Sequence, residues 1–239
     1  MGVSENGIGI IYFKGFEDTI ERNSDLISVI EIEPQTLWYH QRSELSSYSY
    51  NTQDISYLNS LNLPISLHGV GFPIGGSIKS DSEHIDCMQN MIKDLKPVWL
   101  SEHLSFNTIQ AEGLNRNTNF LLPPLQTRES VENSAKQIKE YSRHFDLPFA
   151  FETGNNYLQR QEFEHSDGEF FQSIAEKADC HILLDIHNLI ANQKNGRDNI
   201  YDVLSEIDPY RIIQIHLAGG FYFDEYYLDA HSGVSSTEV

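Results

Sequence analysis

The stretch His181-Ile182-Leu183-Leu184-Asp185-Ile186-His187, residues 188–210, and then Arg211-Ile212-Ile213-Gln214-Ile215-His216-Leu217 decide the fold. Two apolar runs of strand length flank a helix-length segment, which is the order of a βαβ unit with parallel strands. The same alternation extends back along the chain, with strand-like runs at 7–13, 26–32, 64–67, 97–100 and 147–151. Between them, Ile85, Met88, Ile92 and Leu95 recur at helical spacing within 81–95, and 130–145 and 169–178 also read as helices. Seven strands in one direction, with no dinucleotide fingerprint after the first, favour a TIM-type barrel over an open doubly wound sheet. The expected fold is α/β, a (β/α)8 barrel lacking its eighth unit in this chain. Residues 1–239 are expected to form a single metal-binding domain, incomplete at its C-terminus.

Composition narrows the function. The 239 residues carry 16 Lys and Arg against 35 Asp and Glu, a net charge of −19, which argues against binding nucleic acid through its phosphates. No apolar run reaches the ~20 residues of a membrane helix, and the apolar run at 7–13 is too short and lacks the basic flank of a signal peptide. No membrane association and a cytoplasmic location are therefore expected. The two cysteines, Cys87 and Cys180, are far apart and suggest neither a disulfide framework nor a thiolate zinc site. The glycine cluster of His68-Gly69-Val70-Gly71-Phe72-Pro73-Ile74-Gly75-Gly76-Ser77 lacks the Gly-Lys-Ser/Thr ending of a phosphate loop. It is read as a tight βα turn needing positive φ.

The ten histidines are the unusual feature, because several close apolar runs. His68 follows 64–67, His103 follows 97–100, Glu152 follows 147–151, Asp185 and His187 close 181–186, and His216 closes the run that begins at Arg211. In a TIM barrel these positions lie at the C-terminal ends of strands, where active sites are built. Residues two apart on a strand share a face, so Asp185 is paired with His187, and Ser101 with His103. Glu102 then faces the helices or the rim, unless a strand-end bulge reverses the order, and it is kept as a candidate catalytic group beside His187. Glu31 and Glu33 share a face before Pro34 ends the second strand. Asp229 and His231, again two apart, follow the Tyr-rich segment 221–228, and spacing alone leaves their ligand role open. Imidazoles and carboxylates without thiolates suit iron, manganese or zinc held with open positions. His40, His84, His144, His165 and His181 are read as surface or supporting residues. The long stretch 105–127, with Asn115, Asn117 and Asn119, is read as a functional loop.

Six blocks occur in the order and spacing of one family. They are His68-Gly69-Val70-Gly71, Ser101-Glu102-His103-Leu104, Glu152-Thr153-Gly154-Asn155, Leu184-Asp185-Ile186-His187-Asn188, Ile215-His216-Leu217-Ala218-Gly219 and Asp229-Ala230-His231-Ser232-Gly233. Through them the chain resembles the multinuclear non-haem iron-dependent oxidative enzymes, the family that includes the methanobactin-biosynthesis oxygenase. The resemblance implies a TIM barrel holding two or three irons, mixed-valent when active. With dioxygen as co-substrate, these would oxidise a residue, often cysteine, of a ribosomally made precursor peptide. It makes His68, His103, Glu152, Asp185, His216, Asp229 and His231 the expected iron ligands. His187 stands where many members carry asparagine. Members follow the last block with a Pro-rich turn, a further helix and an eighth strand supplying one more acidic ligand, whereas here Val234-Ser235-Ser236 replaces that turn. The resemblance also implies a separately encoded partner protein that delivers the peptide.

The leading expectation is thus an iron-dependent oxygenase or oxidase of natural-product biosynthesis. One alternative is a divalent-metal isomerase or hydrolase of the xylose isomerase or endonuclease IV type, since ligand types overlap between redox and hydrolytic metal sites. Another is a non-catalytic barrel that binds a partner.

Overall fold

The computed structural model describes residues 7–40, 48–79 and 81–232. The chain forms two compact units, one of Met1–Phe72, Ser80–Glu102 and Ser142–Phe149, the other of Pro73–Lys79, His103–Tyr141 and Ala150–Val239.

The first unit contains β1 (Gly9–Ile11), α1 (Glu17–Arg22), β2 (Val29–Ile32), the strand pair β3 (Trp38–His40) and β4 (Tyr48–Tyr50), α2 (Thr52–Ser60), β5 (Ile65–Gly69), α3 (Ser82–Leu95) and β6 (Leu100–His103), whose last residue opens the second unit. Strands β1, β2, β5 and β6 are parallel neighbours in that order. Their aliphatic residues Ile30, Ile32, Leu67 and Leu100 are completely buried, which is why these runs carry little polar alternation. Helix α3 shows how local sequence sets an element's ends. Asp81 accepts a hydrogen bond from the Glu83 N–H at its start, and Lys96 adopts a left-handed conformation that stops it. Cys87, Met88, Met91 and Leu95 are its buried stripe.

The second unit contains the hairpin β7 (Phe106–Ala111) and β8 (Leu114–Leu122), α4 (Arg128–Ser142) except its last residue, β9 (Phe149–Glu152) except its first, α5 (Asp167–Ala178), β10 (His181–Asp185), α6 (Ile186–Lys194), α7 (Ile200–Glu206), β11 (Ile212–His216) and the hairpin β12 (Phe221–Phe223) and β13 (Tyr226–Leu228). Strands β9, β10 and β11 are parallel neighbours in that order. A buried ion pair, Arg197 with Asp167 at 2.5 Å, braces this unit. Gln126 joins it, accepting from Arg197 and donating to Asp167, so the turn before α4, the start of α5 and the segment after α6 are tied together.

All seven expected strands are present. The stretch 105–127 is largely the β7–β8 hairpin rather than a loop, and 221–228 is the β12–β13 hairpin. The glycine cluster after β5 also differs from expectation, because positive φ among described glycines occurs at Gly15, Gly113 and Gly196 and not in that cluster. Close approach explains the glycines instead: a Cβ on Gly69 would lie 2.2 Å from Glu102 Oε2, and one on Gly76 2.8 Å from Phe106 Cβ. No helix among the described residues is long and apolar enough to cross a membrane. Gly233 and Val234-Ser235-Ser236 lie outside the described residues.

Candidate metal centre

Three strand ends of the second unit bring ionisable groups together. Glu152 ends β9, Asp185 ends β10 and His216 ends β11, with Asp185 and His216 paired across the β10–β11 ladder. Both carboxylates are buried. His216 Nδ1 lies 3.1 Å from Glu152 Oε1 and 3.9 Å from Asp185 Oδ2, and one ligand atom from each of the three residues falls within 4.8 Å of the others. His103, at the start of this unit, places its Nδ1 2.5 Å from the other oxygen of Glu152, Oε2. Gln214, two residues before His216 on β11, places its Nε2 3.0 Å from His216 Nε2.

A second group adjoins these residues. His187 Nε2 is 3.4 Å and His231 Nε2 3.1 Å from the same oxygen, Oδ1, of Asp229. The alternation argument that paired Asp185 with His187 is corrected here. Asp185 is the last residue of β10 and also the N-cap of α6, its side chain accepting from the Asn188 N–H at 2.8 Å. His187 therefore stands on the first helical turn, buried, and reaches Asp229 from there rather than from the strand.

The electrostatics suit a cation. Burial, and then the nearby charge of Glu152, push the Asp185 carboxyl up to about 7. Burial lowers the pKa of His187, while the Asp229 carboxylate beside His231 raises that residue's pKa. Asp185 Oδ2 and His187 Nε2 are buried and make no hydrogen bond among the described residues. Buried polar atoms rarely stay unmatched, and two adjacent buried carboxylates are costly without positive charge between them. A divalent metal held by Glu152, Asp185 and His216 would match the Asp185 oxygen and offset the paired carboxylates, so the donor set fits the expected group.

Two expected residues belong to the first unit. His68, on β5, is buried with its Nδ1 2.9 Å from Ser101 Oγ. Glu102 is buried with its carboxylate against Gly69, not at the rim, and the β5–β6 register places it on the face opposite Ser101.

Sequence reasoning missed the residues that hold Asp229. Asn155 donates to Asp229 Oδ2 at 3.1 Å and Tyr157 Oη accepts from the Asp229 N–H at 3.1 Å. The signal was present in part, since Asn155 closes the Glu152-Thr153-Gly154-Asn155 block. Gln214 was also legible, because it shares a strand face with His216.

Parallel βα units ending in buried carboxylates and imidazoles define a TIM-type barrel with a candidate metal site at its strand ends. Solved structures share this fold: D-psicose 3-epimerase from Clostridium cellulolyticum H10 has a TM-score of 0.55 at 11% identity, covering 89% of this chain and 73% of that one. A xylose isomerase domain containing protein from Salmonella typhimurium has a TM-score of 0.54 at 15% identity, covering 92% and 73%. The chain belongs to the RiPP precursor modification enzyme MbnB/TglH/ChrH family, whose model matches residues 8–239. A UPF0276 protein of Chromobacterium violaceum is 31% identical over 74% of this chain and 62% of its own length. Another, of Psychromonas ingrahamii, is 26% identical over 77% of this chain and 64% of its own. The chain thus spans less than two thirds of the length of these curated relatives.

Proposed function

We propose that this chain is a non-haem iron-dependent oxygenase or oxidase that uses dioxygen to modify a cysteine of a ribosomally made precursor peptide. Membership of a family that modifies such precursors supports the substrate class. The observation that carries the metal reading is the buried Glu152–Asp185–His216 cluster with an unmatched carboxylate oxygen. Glu152, Asp185 and His216 would hold one iron and His187, Asp229 and His231 another. His103 and His68 would complete the set, His68 on its strand-end position in the sequence alone. Bound there, iron supplies one-electron redox chemistry toward dioxygen beside the sulfur of the substrate. The chain's own residues prepare that chemistry. Glu152 and Asp185 supply buried negative charge, and Gln214 fixes the ring of His216. Burial favours the neutral form of His187, in which one ring nitrogen carries a lone pair suited to ligation. Glu102 is retained as a candidate catalytic carboxylate. A separately encoded protein delivering the peptide, and a cytoplasmic setting, belong to the same proposal.

A second reading has one observation in its favour, the fold shared with sugar epimerases. A divalent-metal isomerase would use the same ligands without redox change. Anaerobic purification with elemental analysis separates the two. The iron reading expects iron rather than zinc or manganese, and a peptide-dependent consumption of dioxygen. Zinc or manganese in place of iron, with no uptake of dioxygen on adding the peptide, would favour the isomerase.

A further inference from the structure

Asp229 is held by two residues, and the backbone before it by a third, that have no place in the proposed ligand set. Its Oδ2 accepts from Asn155 Nδ2 at 3.1 Å, and its backbone N–H donates to Tyr157 Oη at 3.1 Å. The Asn155 amide also reaches Tyr157 Oη at 3.5 Å, and the Tyr157 ring packs edge-on against Tyr226 with centroids 6.5 Å apart. Two residues before Asp229, Asn195 imitates a neighbouring strand. Its Oδ1 accepts from the Tyr227 N–H at 2.8 Å and its Nδ2 donates to the Tyr227 carbonyl at 2.9 Å. Lys194 lies over the Tyr227 ring, 4.3 Å from its centroid, on the side chain that also packs against His187. The backbone before Asp229 and the carboxylate itself are therefore both fixed.

A free aspartate carboxylate rotates and can present either oxygen, or both, to a cation. With Oδ2 engaged by an amide donor, Oδ1 is the oxygen that contacts His187 Nε2 and His231 Nε2. Residues beyond the ligands that orient them in this way set metal affinity and geometry.

We propose that Asn155, Tyr157 and Asn195 are positioning residues that aim the single oxygen Oδ1 of Asp229 at His187 and His231. They would make Asp229 a one-oxygen ligand at that metal position. Helix α6 then serves as the ruler between the two groups: Asp185 caps its start, His187 sits on its first turn, and Asn195 just past its end grips β13, the strand that ends one residue before Asp229. This rests on the reading of Asp229 as a ligand under the proposed function.

Cobalt(II) alone, added anaerobically to the full chain, is the probe, with visible absorbance and stoichiometry as readouts. The unsubstituted protein should bind cobalt in two distinguishable steps, and Asp229→Ala should abolish one of them. Asn155→Ala and Asn195→Ala should weaken that same step roughly 10- to 100-fold and change its spectrum, while the step at Glu152, Asp185 and His216 keeps its affinity and spectrum. Tyr157→Phe retains the ring packing on Tyr226 and loses only the hydroxyl, so it should show a smaller loss at the same step. Parental affinity and spectra in all three variants would overturn the proposal. Equal weakening of both steps with a lowered thermal midpoint would also overturn it, by showing a merely structural role. If Asp229→Ala leaves both steps intact, the ligand reading itself fails and the positioning role falls with it.

Discussion

Asp185 has two jobs that substitutions separate. Its Oδ1 caps α6 through the Asn188 N–H, and its other oxygen contributes charge to the buried cluster. Asp185→Asn keeps a capping oxygen but removes the charge that Glu152 opposes, so metal should be lost while the metal-free protein melts at the same temperature or higher. Asp185→Ala loses the cap as well and should melt lower, by an amount corresponding to about 1 kcal/mol. Elemental analysis and thermal melts of the metal-free forms check both. At the start of the second unit, His103→Ala should lose metal, because its imidazole contacts Glu152 Oε2. Glu102→Gln should retain metal, since that side chain turns toward Gly69. Gly220 is required by close approach, as a Cβ there would lie 2.2 Å from the Leu228 carbonyl oxygen and 2.8 Å from His187 Nε2. Gly220→Ala should cost about 1–3 kcal/mol in urea unfolding and disturb His187.

At the scale of elements, the Arg197–Asp167–Gln126 clamp joins helices that carry the site to those that do not. Arg197→Ala leaves a buried carboxylate without its partner and should cost about 3–5 kcal/mol, read as a lower urea midpoint. The double replacement Arg197→Met with Asp167→Leu should recover part of that loss; a double variant as unstable as the single one would show that the charges do more than neutralise each other. How far these elements were legible follows from what buries them. Strand β10 announces itself because Ile182, Leu183 and Leu184 are buried on both faces, and β2, β5 and β9 read the same way, whereas β1 and β11 are only half-buried. The β7–β8 hairpin does not, because most of β8, including Asn115, Asn117 and Asn119, is exposed and lacks an apolar alternation. The start of α6 was hidden because Ile186 prolongs the apolar run of β10, and the capping role of Asp185 passed for a ligand's position. It is both. Asn195 carries no pattern at all, since its two bonds to Tyr227 depend on a hairpin that lies far along the chain.

Over the whole molecule the net charge of −19 sets a uniform background of self-repulsion. Raising sodium chloride from ~0.02 to ~0.5 M shortens the screening length from tens of ångströms to a few, so the thermal midpoint of the metal-free protein should rise. A falling midpoint would mean that specific ion pairs outweigh the net charge. The central claim is that buried carboxylates and imidazoles at the strand ends hold iron. Iron content per chain after anaerobic purification tests it most directly. The account predicts more than one iron per chain in the unsubstituted protein and loss of most of it in Asp185→Ala and in His216→Ala. Full iron content in both variants, or none in the unsubstituted protein under the same conditions, would contradict it.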